Sequence, residues 1–268
     1  MTCWELLGQP SVEALNRFQP ALLFGYASVV AMLAAEQEAG RLRINPVLTV
    51  PTSEGLAPER YDRIAAAFGG QVRVPYGASE FVGIAYGCQY HWLHVTADWV
   101  ILEPVDADHR PTPPGQPSHT VLLTNLSNLV QPILRYDLGD AILARPDPCP
   151  CGDPLPAIRV QGRVADVLTF RAEGGTEVTV RPLAFDALLD TVPGLTLYQL
   201  VQIAPDNLRL RLRAVDGHDP DHVWPAAQDK ITKLLAEHGL TGVTIQRATE
   251  APQQAACGKY RRILPLKP

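Results

Sequence analysis

The sequence has no excess of basic residues. Its 23 Lys and Arg stand against 28 Asp and Glu, for a formal net charge of -5, and its isoelectric point is near 5.8. A nucleic-acid-binding chain needs a cationic face, so a zinc-stabilised nucleic-acid module is disfavoured. A disulfide framework is lacking too: Cys3, Cys88, Cys149, Cys151 and Cys257 are odd in number and irregularly spaced. That usage fits a reducing compartment, the cytoplasm, better than secretion. Nor is there an apolar run of the ~20 residues that a membrane span needs. The nearest, Ala21 to Ala35, is interrupted by Gly25, Tyr26 and Ser28 and reads as core. Glu5 and Glu13 stand where a basic leader would lie, which disfavours a signal peptide. Repeats and low-complexity tracts are absent.

What is present is the composition of a globular protein, 46% hydrophobic with 25 prolines and a mean hydropathy of -0.01. So many prolines imply short strands and loops rather than long helices. A chain of 268 residues is long enough for one large and one small domain. Ser11 reads as the N-cap of a short helix, Ala21 to Tyr26 as a buried strand, and Ser28 as the cap of a helix from Val29 to about Gly40 with Val29, Met32 and Leu33 on one face. A strand at Pro46 to Val50, a helix from Pro58 to Phe68 and a strand at Gln71 to Val74 follow. This alternation predicts a mostly parallel sheet covered by helices, with ligands gathered after the strand ends.

From Ile84 to Leu143 the pattern changes to short β runs, Trp92 to Val95, Trp99 to Val105, Thr120 to Asn125 and Ile133 to Tyr136, which predict a small distorted β-barrel. Beyond Arg163 a smaller α+β unit is expected. Its strands are near Val167 to Phe170, Glu177 to Val180, Leu197 to Ile203 and Leu208 to Ala214, its helices Pro182 to Leu189 and Pro225 to His238, and a last strand is at Val243 to Arg247.

Three short pieces bear on chemistry. Tyr76-Gly77-Ala78-Ser79-Glu80 follows a strand and offers a ring that can stack on a base, a glycine that admits close backbone, a hydroxyl and a hard carboxylate. Arg135 to Asp140 and Gly258 to Arg262 lie further on. Taken singly, each has an ordinary reading as a turn, a capping group or a solvated basic tail. In this order they resemble the adenylate-forming enzymes, most closely the phenylacetate-coenzyme A ligase branch, whose C-terminal portion reads along the chain from about Leu22 to Ile263.

The resemblance implies an α/β plus α+β fold: the C-terminal part of a large adenylation domain over residues 1–162, then a small lid domain over residues 163–268, hinged near Arg163 to Asp166. It implies a reaction in which a carboxylate attacks the α-phosphate of ATP to give an acyl-adenylate and pyrophosphate, after which a thiol, of coenzyme A or a carrier protein, takes the acyl group. Such a step needs two anions aligned and their developing charge spread. Tyr76 and Gly77 would lie against adenine, Ser79 near the α-phosphate and Glu80 on Mg2+, while Asp140 would accept from the ribose hydroxyls and Arg163 would approach ribose or phosphate. Ser53, Glu54 and Gly55 would line the nucleotide site, and Lys259 would bridge the substrate carboxylate and α-phosphate.

A second constellation is Cys88, His91, His94, Cys149 and Cys151. Zinc takes four such ligands, and with all four from protein its role would be structural. Members of the branch carry such a site, which implies Cys88, His94, Cys149 and Cys151, with strand spacing favouring His94 over His91. The other reading is buried free thiols beside exposed histidines.

The sequence also departs from the family. It shows no Ser/Thr/Gly-rich phosphate loop upstream of Tyr76, and Ala165 stands where the hinge usually carries a charged residue, although Asp166 follows. The expectation is therefore an acyl- or aryl-coenzyme A ligase-like protein, incomplete alone, with a small and conceivably aromatic carboxylic acid as substrate. Phe24 to Ala27 and Ile84 to Tyr86 are the expected pocket wall. A partner chain supplying the N-terminal part and a homodimer stay open, and the alternative is a non-catalytic nucleotide-binding or interaction protein derived from such a ligase.

Overall fold

The computed structural model describes residues 9–56, 58–172, 174–215, 219–253 and 260–266. The chain divides into two compact units that part between residues 164 and 165. Among the described residues no helix is long and apolar enough to cross a membrane.

The first unit opens with helix α1 (Gln9–Phe18), β1 (Leu22–Tyr26), α2 (Ala27–Glu38), β2 (Leu48–Thr52), α3 (Pro58–Phe68) and β3 (Gln71–Val72). The three strands form a parallel sheet in the order β1-β2-β3. Side chains alternate across a strand. Leu23 therefore turns into a core with Val30, Leu33 and Ala34 of α2, Ile64 and Phe68 of α3, and Val72 of β3. Its neighbours Leu22 and Phe24 are exposed. The buried stripe of α2 is Ala27, Ser28, Val30, Leu33 and Ala34, so the expected Leu33 is in it while Val29 and Met32 are only half-buried; the helix starts two residues earlier than expected, at Ala27. Ser28 is thus inside the first turn rather than its cap. Ser11 likewise lies within α1, not before it.

The chain then enters β strands: β4 (Pro75–Ala78), β5 (Phe81–Gly87), β6 (Leu93–Val95), β7 (Val100–Val105), β8 (Thr120–Asn125), β9 (Ile133–Asp137), β10 (Asp140–Ala144) and β11 (Ala157–Arg163). They make a five-stranded sheet, β10-β11-β6-β5-β4, and a three-stranded sheet, β7-β8-β9. An isolated bridge between Pro117 and Leu143 lies between them. One core fills the space they share, with Tyr76, Ile84, Val95, Val100, Val121, Leu123, Ile142 and Ile158 buried in it.

A single 3-10 turn, Val164–Asp166, leads into the second unit. It contains β12 (Leu168–Arg171), β13 (Glu177–Val180), α4 (Pro182–Leu189), β14 (Leu195–Ala204), β15 (Asn207–Ala214), α5 (Pro220–Glu237), β16 (Thr244–Arg247) and β17 (Ile263–Leu264). The main sheet runs β16-β15-β14-β17. Its core joins Leu200, Leu208 and Leu210 to Phe185 and Leu189 of α4 and to Ala227, Ile231 and Leu235 of α5. Two features differ from expectation. Helix α5 begins five residues before Pro225, because Pro220 sits in the first turn, where no N–H is needed, and Asp219 caps it by accepting from the Asp221 amide. Pro225 is carried inside the helix. Strand β17 was not expected: two residues pair in parallel with β14 through Leu200 and Val201, too short a run for alternation to reveal.

Candidate functional site

The segment Tyr76 to Glu80 is a hairpin rather than a free loop. Ala78 pairs with Phe81, so Ser79 and Glu80 form the two-residue turn between β4 and β5. A Cβ on Gly77 would lie 2.0 Å from the Val82 carbonyl oxygen. The close approach this glycine permits is therefore to the partner strand, at a bulge where the register shifts between Tyr76 and Ala78. Ser79 is exposed and Glu80 half-buried. Asn125 donates to the Glu80 carbonyl at 3.1 Å and holds the turn against β8.

Tyr76 and Asp140 meet although far apart in sequence. The Tyr76 hydroxyl donates to Asp140 Oδ2 at 2.8 Å, and both residues are buried. Asp140 arrives there because Asp137 and Gly139 form a tight turn that carries the chain from one sheet to the other. Asp137 Oδ1 accepts from the Gly139 amide at 2.8 Å and from Thr120 Oγ1 at 2.5 Å, and Gly139 takes a left-handed φ of 68°. Asp140 then opens β10 opposite Arg163, the last residue of β11, and Arg163 Nε lies 3.5 Å from Asp140 Oδ1. Burial, then the neighbouring carboxylate, push the Tyr76 phenol far above its ordinary range. It stays a neutral donor. Three of the sequence candidates are thus brought together, Tyr76 hydrogen-bonded to Asp140 and Arg163 ion-paired with it.

Beside the hairpin turn lies a cleft of about 390 Å3 lined by Glu80, Gln131, Pro132, Ile133, Leu134 and Tyr136. A hydrogen bond from Tyr136 to the Glu80 carboxylate pushes the tyrosine pKa up. Of this lining the sequence reading singled out Glu80, while Tyr136 figured there only in a strand and in the Arg135 to Asp140 motif. Of the expected pocket wall, Ile84 and Ala85 are enclosed in the β core, and Phe24 and Tyr26 are exposed. Ser53, Glu54 and Gly55 follow β2. Ser53 has a left-handed φ of 65°, and Glu54 Oε2 accepts from the Ser28 amide at 2.8 Å. Glu54 therefore satisfies an amide at the N-terminus of α2, the task expected of the Ser28 side chain. Lys259 and Gly258 lie outside the described residues. The segment just after them is firmly tied: Tyr260 donates to the Tyr198 carbonyl, Arg261 pairs with Asp166, and Arg262 bonds Asp190 and Asp186.

The cysteine constellation converges. The ligand atoms of Cys88, His94, Cys149 and Cys151 all lie within 4.8 Å of one another. Cys88 follows β5, and a turn closed by its amide on the Trp92 carbonyl brings the chain back into β6, where His94 sits fully buried. Cys149 and Cys151 flank a turn closed by the Gly152 amide on the Cys149 carbonyl. Cys88 Sγ is 3.8 Å from Cys149 Sγ, and Cys151 Sγ is 3.2 Å from His94 Nε2. A tetrahedron with metal–sulfur bonds of about 2.3 Å has edges of about 3.8 Å, so the donor set fits zinc in chemistry and in size.

The surrounding groups orient this set. His94 Nδ1 lies 3.1 Å from the Leu155 carbonyl, which can only accept, so Nε2 keeps its lone pair toward the cysteines. Asp153 Oδ1 is 3.7 Å from the same Nδ1, and Asp153 Oδ2 accepts from Tyr86 at 2.6 Å. That bond pushes Tyr86 up to about 12 and holds Asp153 low. Sequence reading missed Asp153 and Leu155, although the Cys-Gly-Asp run in which Asp153 lies is itself a turn signal. His91 points elsewhere, 3.4 Å from Asp62 and edge-on to Tyr61.

No family model matches the sequence. Among curated proteins the chain is 27% identical to a phenylacetate-coenzyme A ligase of Thermus thermophilus, the match covering 72% of this chain and 47% of that protein. Among solved structures it superposes on 2-hydroxyisobutyryl-CoA ligase bound to its acyl-AMP with a TM-score of 0.72 and 25% identity, covering 96% of this chain and 57% of that one. It superposes on an anthranilate CoA ligase bound to anthranoyl-AMP with a TM-score of 0.67 and 17% identity, covering 95% and 51%. For a benzoate CoA ligase from Burkholderia xenovorans the values are 0.66, 16%, 95% and 53%. The chain spans about half the length of the relatives it matches. In its motifs, its sequence and its fold, the chain is similar to adenylate-forming enzymes of the phenylacetate-coenzyme A ligase-like branch, over the C-terminal portion of those proteins.

Proposed function

We propose that this chain is the nucleotide-binding, zinc-stabilised C-terminal part of an ATP-dependent acid–thiol ligase, with residues 6–164 completing a large adenylation domain and residues 165–268 serving as its lid. The observation that carries the reading is the buried Tyr76–Asp140 pair, with the exposed Arg163 on its outer side, beside an open hairpin turn. A carboxylate held in place by a phenol and a guanidinium is preorganised to accept from the two hydroxyls of a ribose. Tyr76 and Gly77 would set the adenine edge, and Ser79 on the turn would face the α-phosphate. Glu80 would give Mg2+ its one protein carboxylate, as suits an ion that keeps water and phosphate as its other ligands. In the first half-reaction a carboxylate oxygen of the acid bonds to the α-phosphorus and pyrophosphate leaves. In the second the thiol sulfur of coenzyme A attacks the acyl carbonyl and AMP leaves. Lys259 would neutralise the charge shared between substrate carboxylate and α-phosphate.

The exposed Leu22 and Phe24 support a further part of this reading. An all-parallel sheet is ordinarily covered on both faces, and β1 is also a sheet edge. This face is the seat for the remainder of a large adenylation domain. The test is acid-dependent ATP–pyrophosphate exchange over a panel of small carboxylic acids, by the chain alone and with a chain carrying the N-terminal half of a related ligase. Exchange that needs both chains, and that Lys259→Ala lowers steeply while AMP binding persists, is the expected result. Strong exchange by the chain alone contradicts the division of labour. Nucleotide binding without exchange under either condition favours the non-catalytic nucleotide-binding alternative.

A further inference from the structure

Two arginines and a tryptophan beside the cysteine tetrad are absorbed by nothing above. Trp92 is buried in the same small core as Cys88 and Cys149. The Arg159 guanidinium lies 4.1 Å from the Trp92 ring centroid and that of Arg145 lies 4.9 Å from it. Each arginine also holds one of the two ligand-bearing turns. Arg159 donates to the carbonyls of His91 and Tyr90, inside the turn between Cys88 and His94. Arg145 donates to the Pro148 carbonyl, immediately before Cys149. Two cations gathered over one ring repel each other, and burial of Arg159 adds to the cost. An arrangement of this kind is stable when an anion lies close by. A zinc ion with three thiolates and a neutral imidazole carries a net charge of about -1, and it would lie beside this core.

We propose that Arg145, Arg159 and Trp92 form a clamp that sets the zinc affinity of the Cys88, His94, Cys149 and Cys151 site, by fixing the two ligand turns on one indole and by balancing the anionic charge of the loaded site. These are positioning residues, and the inference rests on the zinc reading given above. Outer groups of this kind typically change metal affinity by about 10- to 100-fold. Arginine is the residue that can stack and donate at once, which lysine cannot do.

The experiment uses the full chain and zinc alone, with affinity read by competition against a chromophoric chelator. Arg159→Lys and Arg145→Lys, which keep the charge but lose the stack and the fork of donors, should each weaken zinc by about tenfold, and Arg159→Gln should weaken it further. Thermal melting of zinc-loaded and chelator-treated protein separates this role from simple packing. The substitutions should lower the melting temperature of the loaded form more than that of the metal-free form, whereas a packing role would lower both alike. Wild-type protein that binds zinc, with Lys and Gln variants matching it within twofold or melting shifts equal in both forms, overturns the clamp. Wild-type protein that takes up no zinc overturns the metal reading itself and the clamp with it. Arg145→Lys is the mildest change, so the comparison stands even where Arg159→Gln fails to fold.

Discussion

At the scale of single residues, the account turns on Tyr76 and Asp140. Replacing Tyr76 by Phe removes a donor to a buried carboxylate, and chemical denaturation at neutral pH should show a loss of about 1–3 kcal/mol. The phenol pKa is raised in the folded state, so its stabilising contribution is fully present below the unfolded value near 10. That contribution is lost as pH rises beyond it. Denaturation midpoints should therefore fall above about pH 10 in the wild type and less steeply in Tyr76→Phe; identical alkaline profiles would remove Tyr76 from the account. The types of these residues were legible in sequence because the motif order was. Their pairing was not, since no pattern of period two or 3.6 reports a hydrogen bond between Tyr76 and Asp140 across 64 positions. The same holds for Glu54, whose bond to the Ser28 amide comes from the loop after β2, and for Tyr136 on Glu80.

At the scale of elements, three antiparallel connections, β4–β5, β5–β6 and β10–β11, carry the candidate sites. The β4–β5 hairpin depends on Gly77, and a Gly77→Ala substitution puts a methyl carbon into the Val82 carbonyl. Overpacking of this kind typically costs about 1–3 kcal/mol, which a thermal melt should register. An unchanged melt would show that the bulge relaxes freely. The Cys88 and Cys149 turns are two short loops with only a small core of their own, so the proposed zinc should supply much of their stability. Elemental analysis should find about one zinc per chain, and a Cys149→Ser/Cys151→Ser variant should lose it together with several degrees of melting temperature. Metal-free protein with unchanged melting would refute this. Long elements such as α3 and β8 were legible from periodicity and burial, and both lie where expected. Short ones were not. Strand β17 is two residues long, and Pro225 hides the first turn of α5 because proline as a helix breaker and proline tolerated near a helix start look alike in sequence.

At the scale of the whole molecule, the chain is two units, each with its own core. Arg262 is largely enclosed by Asp186, Asp190 and Tyr198. Removing one side of such a network leaves uncompensated charge, so Arg262→Ala should destabilise the second unit by about 3–5 kcal/mol. Calorimetry should show the loss as a lowered transition; a transition unchanged in the variant would contradict it. The change of pattern near Arg163 is a sequence signal because strand and helix alternate anew beyond it. The family likeness supplied the chemistry that alternation alone could not. The most direct measurement of the central claim is calorimetric titration of the full chain with AMP, with an acyl-adenylate analogue and with ATP, on wild type and Asp140→Ala. The account predicts that AMP and the analogue bind at least as well as ATP, and that Asp140→Ala weakens them by at least about tenfold, the loss of hydrogen bonds to a charged group. Absence of AMP binding, ATP far tighter than AMP, or binding indifferent to Asp140 would contradict it.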